Sequence, residues 1–123
     1  MSSRILLIED TEDLGEMIRD ILSIEGYEVI WAKDGRSGIE FYKHTNPDLI
    51  ITDLVMPYMD GLEVIRCVRE AERAAKIPII ILSAKATPED QAIGIATGAN
   101  LYLKKPCSGS LLLSSIQSLL RSL

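Results

Sequence analysis

Five short apolar runs dictate what this chain can become. Residues 5–8, 27–31, 49–51, 77–82 and 101–103 are each long enough for a buried strand and too short for a helix. Stretches with apolar residues three and four positions apart separate them: Leu14, Met17, Ile18, Ile21 and Leu22, then Ile39, Phe41 and Tyr42, then Leu62, Val64, Ile65 and Val68. Ala92, Ile93, Ile95 and Ala96 form a fourth such group, and Leu112, Ile116, Leu119 and Leu120 a fifth. The punctuation agrees. Thr11 precedes acidic Glu12 and Asp13, as a helix cap does, and Gly26 stops that helix. A second helix over 35–44 ends before Asn46-Pro47, and Gly61 leads a third that frays through the charged run 69–76. Thr87-Pro88-Glu89 sets a cap before a proline at the first helical position, Gly98 closes that helix, and Ser108 opens the last. The run 77–82 is nearly all apolar, which expects an interior strand with Pro78 near its start. Strands alternating with helices over short connections predict an α/β fold, a doubly wound five-stranded parallel sheet flanked by five helices.

A length of 123 residues suits one domain over 1–123 with a core of its own. The net charge of −5 and the absence of a Lys/Arg cluster argue against direct nucleic-acid binding and fit a protein that gathers carboxylates around a divalent cation. The run 5–8 breaks at Glu9, too early for a signal peptide. No apolar run approaches the roughly 20 residues needed to cross a bilayer, so a soluble, cytoplasmic protein is expected. Cys67 and Cys107 lack metal or redox spacing and read as free thiols.

The chemistry gathers where strands end. Leu49–Ile51 runs into Asp53, and Met56-Pro57 breaks the regular structure three residues later. Taken alone, Asp53 is either a chemical centre or a solvated carboxylate closing a strand. The other strand ends carry Glu9 and Asp10, Ser83, and Lys105. In a parallel sheet these ends share one edge and converge at the point where the strand order reverses. Three carboxylates gathered there repel one another unless a cation bridges them, and an all-oxygen set suits Mg²⁺. The hydroxyl of Ser83 and the ammonium of Lys105 are the partners that a phosphoryl group on Asp53 needs. A nucleotide-binding turn is excluded: glycine-rich amides are required after the first strand, and Glu9-Asp10-Thr11-Glu12-Asp13 stands there instead.

These residues resemble the receiver domain of two-component response regulators, with its flavodoxin-like topology. The resemblance covers nearly the whole chain: Ile8-Glu9-Asp10, the string Asp53-Leu54-Val55-Met56-Pro57-Tyr58-Met59-Asp60-Gly61, Ile81-Leu82-Ser83-Ala84, and Gly98-Ala99-Asn100 leading to Lys105-Pro106. It implies Asp53 as phosphoacceptor, with Asp10 and Asp53 as direct Mg²⁺ ligands, Glu9 acting through water, and the Val55 backbone carbonyl completing the protein's share. It implies Ser83 as switch hydroxyl, Tyr102 as switch aromatic, and Lys105 rather than Lys104 as the conserved-type lysine. The resemblance further implies a histidine kinase or histidine phosphotransfer protein as donor, and a downstream target or output domain as receiver of the signal. On this reading the phosphoryl group draws Ser83 inward, Tyr102 fills the space, and the surface of the fourth helix, fifth strand and fifth helix changes. Such a domain is no enzyme beyond its own phosphoryl transfer and dephosphorylation.

The chain departs from the family pattern at a few positions. Glu9 stands where Asp is commoner, Leu101 where an acidic residue is frequent, and Pro106-Cys107 where an aromatic often follows. Lys85 adds a charge two residues after Ser83. Val55 cannot orient a hydrolytic water, so slow self-dephosphorylation is expected. A phosphoaspartate hydrolase needs a second carboxylate at that position and is disfavoured. A phosphorylation-independent dimerisation module is the other alternative, opposed by the intact set Asp10, Asp53, Ser83 and Lys105. His44, near a helix end, reads as a surface residue. Leu111 and Leu113 beside the last helix's core face read either as a homodimer or partner surface through the fourth and fifth helices, or as scattered leucines. With no output domain after Arg121-Ser122-Leu123, the chain reads as a single-domain regulator or as a receiver cut from a larger protein.

Overall fold

Strand and helix alternate along the chain as the apolar runs require. A computed structural model describes residues 2–71 and 76–122. The strands are β1 (Arg4–Ile8), β2 (Glu28–Ala32), β3 (Leu49–Thr52), β4 (Ile79–Ser83) and β5 (Leu101–Lys104). The helices are α1 (Glu12–Ile24), α2 (Gly35–Thr45), α3 (Gly61–Ala71), α4 (Pro88–Thr97) and α5 (Gly109–Arg121). The strands form a parallel sheet in the order β2-β1-β3-β4-β5. The chain steps outward from β1 to β2, then crosses back to β3 on the other side of β1. That reversal opens a crevice at the carboxyl ends of β1 and β3.

Alternation along the strands divides the core in two. Leu6, Ile8, Ile50, Ile79 and Ile81 face one side, where Ile39 of α2 and Val64, Ile65 and Val68 of α3 cover them. Ile5, Leu7, Leu49, Ile51, Ile80, Leu82 and Leu103 face the other, under Ile18 and Leu22 of α1 and Leu112 and Ile116 of α5. Burying each such side chain contributes roughly 1.5–3 kcal/mol, so the interior strands hold the fold together. Pro78 lies just before β4, and its carbonyl accepts from the Ile50 amide at 3.0 Å.

Several local expectations need correction. Thr11 occupies the α1 cap position, but its side chain makes no capping hydrogen bond. Its amide donates to a Glu9 carboxylate oxygen at 3.1 Å instead. Met17 and Phe41 are exposed rather than core, because Gly15 and Gly38 occupy the inward positions of α1 and α2. On α4, none of Ala92, Ile93, Ile95 and Ala96 is buried; the helix turns Gly94 to the sheet. A Cβ at Gly94 would strike Ile81 and the Tyr102 ring, so the close approach depends on glycine. The fraying expected over 69–76 falls partly on residues 72–75, outside the described residues. Arg69 itself is held: its guanidinium donates to the carbonyls of Gly98 (2.8 and 3.0 Å) and Ile77 (2.8 Å). No helix among the described residues is long and apolar enough to cross a membrane.

Candidate functional site

Asp53 leaves β3 at the crevice, its amide donating to the Ile8 carbonyl at 3.1 Å. The following turn folds back on it. Oδ1 accepts from the Leu54 amide at 2.6 Å and the Val55 amide at 3.3 Å. Leu54 and Met56 tuck into the core behind the site. The Thr52 hydroxyl donates to the Asp53 carbonyl at 2.9 Å. Gly61 opens α3 so close to the Asp53 carbonyl that a Cβ there would collide with it. The glycine lets the turn close.

One lysine spans the cleft. Lys105 follows β5, and its Nζ lies 2.7 Å from Asp53 Oδ2 and 2.8 Å from Glu9 Oε1. Lys104 is exposed and does not take part. Burial works against the Lys105 charge, yet the hydrogen bonds to Asp53 and Glu9, together with their charges, hold its pKa above the ordinary ammonium value. Glu9 is 1% exposed and Asp53 8% exposed. Two almost buried carboxylates are thus paired with one ammonium, a pairing that the strand-end pattern does not predict.

Asp10, by contrast, is exposed, and among the described residues no donor meets its carboxylate. Carboxylate oxygens of Glu9, Asp10 and Asp53 all lie within 4.8 Å of one another. A hard divalent cation with water completing its shell fits such a donor set. The Val55 side chain is 62% exposed and leaves the mouth of the cleft apolar on that flank.

Ser83 ends β4, is 1% exposed, and accepts the Lys85 amide at Oγ (3.2 Å). It is therefore already buried. Tyr102 on β5 is half-buried, its ring beside Gly94 and its hydroxyl donating to the Lys85 carbonyl. Burial, then the charges of Asp90 and Asp53, push the Tyr102 pKa up. His44 is exposed, 3.6 Å from Glu40 on the same helix. Cys67 and Cys107 are both free. Sequence reasoning missed Thr52, Leu54 and Met56, which seat the Asp53 turn; the apolar pair flanking Val55 was the available signal.

The geometry has close relatives. Residues 5–117 match the family described as response regulator receiver domain. The chain is 36% identical over 121 residues to the response regulator MprA of Mycolicibacterium vanbaalenii, covering 98% of this chain and 52% of that protein. It is 35% identical to the alkaline phosphatase synthesis transcriptional regulatory protein SphR of Synechococcus elongatus, covering 98% of this chain and 49% of that one. The chain thus spans about half the length of the curated relatives it matches. Among solved structures, the chemotaxis protein CheY4 of Vibrio cholerae superposes with a TM-score of 0.91 at 32% identity, covering 97% of this chain and 99% of that one. With the cleft, the sheet order and these relatives in agreement, the chain belongs to the response regulator receiver domain family.

Proposed function

We propose that the domain takes a phosphoryl group onto Asp53 and passes the resulting change of surface to a partner. The observation that carries this reading is the Lys105 ammonium between Asp53 and Glu9, a cation already fixed where transferred charge arrives. A histidine kinase or histidine phosphotransfer protein is the donor, and the reaction proceeds in the cytoplasm. An Asp53 carboxylate oxygen attacks phosphorus, the P–O bond forms as the P–N bond of phosphohistidine breaks, and the imidazole leaves with the bond pair and takes up a proton. The backbone amides of Leu54 and Val55 hold the carboxylate in place during attack. The ammonium of Lys105 and the hydroxyl of Ser83 then contact the phosphoryl oxygens. Asp10 and Asp53, with Glu9 through water and the Val55 carbonyl, would hold Mg²⁺. When bound, that ion offsets the charge of the incoming phosphoryl group.

Once Lys105 and Ser83 turn to the phosphoryl group, the loop after β4 loses its present anchor at Ser83 Oγ, and Tyr102, bonded to that loop at Lys85, moves with it. The α4–β5–α5 surface therefore carries the output, to a downstream protein, an output domain or a second copy. The exposed Ile93, Ile95 and Leu111 support a contact surface there. The domain turns over no substrate but its own phosphoryl group. Incubation with phosphoramidate and Mg²⁺, followed by peptide mapping, tests the assignment. One phosphoryl group in the peptide carrying Asp53, absent in Asp53→Ala, is expected; modification elsewhere, or none, overturns it.

A further inference from the structure

The only tryptophan in the chain, Trp31, is the last residue but one of β2 and pairs in register with Leu7, two residues before Glu9. Its indole Nε1–H donates to the Glu9 carbonyl at 2.9 Å. That carbonyl belongs to the peptide group joining Glu9 to Asp10, and a peptide group is a rigid plane. On the near side of the same residue, the Glu9 amide donates to the Ala32 carbonyl at 3.0 Å. β2 therefore grips Glu9 at both ends of its backbone, and the end nearer Asp10 is gripped by a side chain.

The two acidic residues depend on this grip unequally. The Glu9 side chain has anchors of its own in the Thr11 amide and Lys105. The Asp10 carboxylate has no donor among the described residues, so its aim into the cleft is set by the backbone that carries it. The indole is in turn held in a slot. Gly15 of α1 lies against the ring so closely that a Cβ would collide with it. The Arg19 guanidinium stands 5.6 Å and the Lys33 ammonium 5.1 Å from the ring centroid. Lys33 is itself tied to Glu12 at 2.9 Å.

We propose that Trp31 is a positioning residue for the divalent-cation site, its indole N–H fixing the Glu9–Asp10 peptide and thereby the aim of the Asp10 carboxylate. This rests on the reading of Glu9, Asp10 and Asp53 as a Mg²⁺ site. Groups that orient metal ligands without touching the metal commonly change affinity ten- to a hundredfold when removed, roughly, and one neutral donor belongs at the lower end.

Magnesium titration of the purified protein by calorimetry, with the indole ¹H–¹⁵N signal followed by NMR, tests the proposal. In the wild type the single indole signal should move with Mg²⁺ and reach its midpoint where the heat does. Trp31→Phe keeps an aromatic ring but removes the donor, and should bind Mg²⁺ roughly tenfold more weakly while retaining its circular dichroism spectrum. Gly15→Ala keeps the donor but displaces the ring; it should shift the indole signal without metal and weaken binding in parallel. Wild-type affinity in Trp31→Phe, or an indole signal that stays put through saturation, overturns the role of Trp31 alone. No Mg²⁺ binding by the wild type overturns the cation site itself, and this role with it.

Discussion

Between Glu9 and Asp53 stands one ammonium, and alkaline pH should reveal how much the fold relies on it. An unfolded lysine loses its proton near pH 10.4, roughly. Folded Lys105 holds its proton to higher pH because Asp53 and Glu9 outweigh the burial that opposes the charge. A raised pKa contributes stability that is fully present below the unfolded value and lost as pH rises through the folded one. Lys105→Met leaves two nearly buried carboxylates without their cation and should cost about 2 kcal/mol at neutral pH, less than a fully buried pair because the cleft meets water. In urea unfolding, the gap between wild type and variant should stay level up to about pH 10 and shrink above it. An unchanged gap at pH 11, as an order-of-magnitude check on that window, contradicts the pairing. Millimolar Mg²⁺ should narrow the gap at neutral pH, since a second cation then serves the same carboxylates. At the mouth of the cleft, exposed Val55 offers no polar atom on its side chain to orient water. The phosphorylated protein should therefore lose its phosphoryl group slowly and Val55→Glu should lose it faster; a half-life of only seconds in the purified wild type argues the reverse.

Helix α4 shows both what a sequence pattern conveys and where it fails. Its start was legible: Thr87 caps the helix as Thr87-Pro88-Glu89 implies, its hydroxyl accepting from the Asp90 amide at 3.1 Å, and the structure adds a return bond in which Asp90 Oδ2 accepts from the Thr87 amide at 3.1 Å. Thr87→Ala should cost about 1 kcal/mol in urea unfolding. Its inward face was not legible, because periodicity assigns large apolar residues to the core, whereas here glycine is the residue that touches the sheet. Ile93 and Ile95 sit one position either side of Gly94, about 100° around the helix, and point past the contact. Ile93→Ala should therefore cost under about 1 kcal/mol, while Gly94→Ala should cost about 1–3 kcal/mol by driving a methyl into Ile81 and Tyr102. Equal costs for the two substitutions contradict that packing. Residues on α1 follow the same logic, with Gly15 inside and Met17 outside. The end of α3 differs again: a charged run reads as fraying, but Arg69 donates to the Gly98 carbonyl that ends α4 and to the Ile77 carbonyl just before β4.

Across the molecule, the sheet and the gathering of polar residues at one edge were readable because strand ends are fixed by topology. Once five parallel strands are granted, Glu9, Asp10, Asp53, Ser83 and Lys105 share an edge whatever the helices do. What could not be read was pairing across the cleft, since it depends on side-chain reach. Lys105 bridges Glu9 and Asp53, and Trp31 reaches back from the edge strand to the Glu9 carbonyl. Exposed apolar side chains on α4 and α5 add a surface that the core does not use. The chain spans about half the length of MprA and SphR. Everything hinges on whether Asp53 accepts a phosphoryl group in this cleft. The deciding measurement is intact mass after incubation with acetyl phosphate, for wild type and Asp53→Ala, each with Mg²⁺ and with a chelator. Wild type should gain one phosphoryl group with Mg²⁺ and little with chelator, and Asp53→Ala none; equal gain in Asp53→Ala, or no gain in wild type, contradicts the assignment.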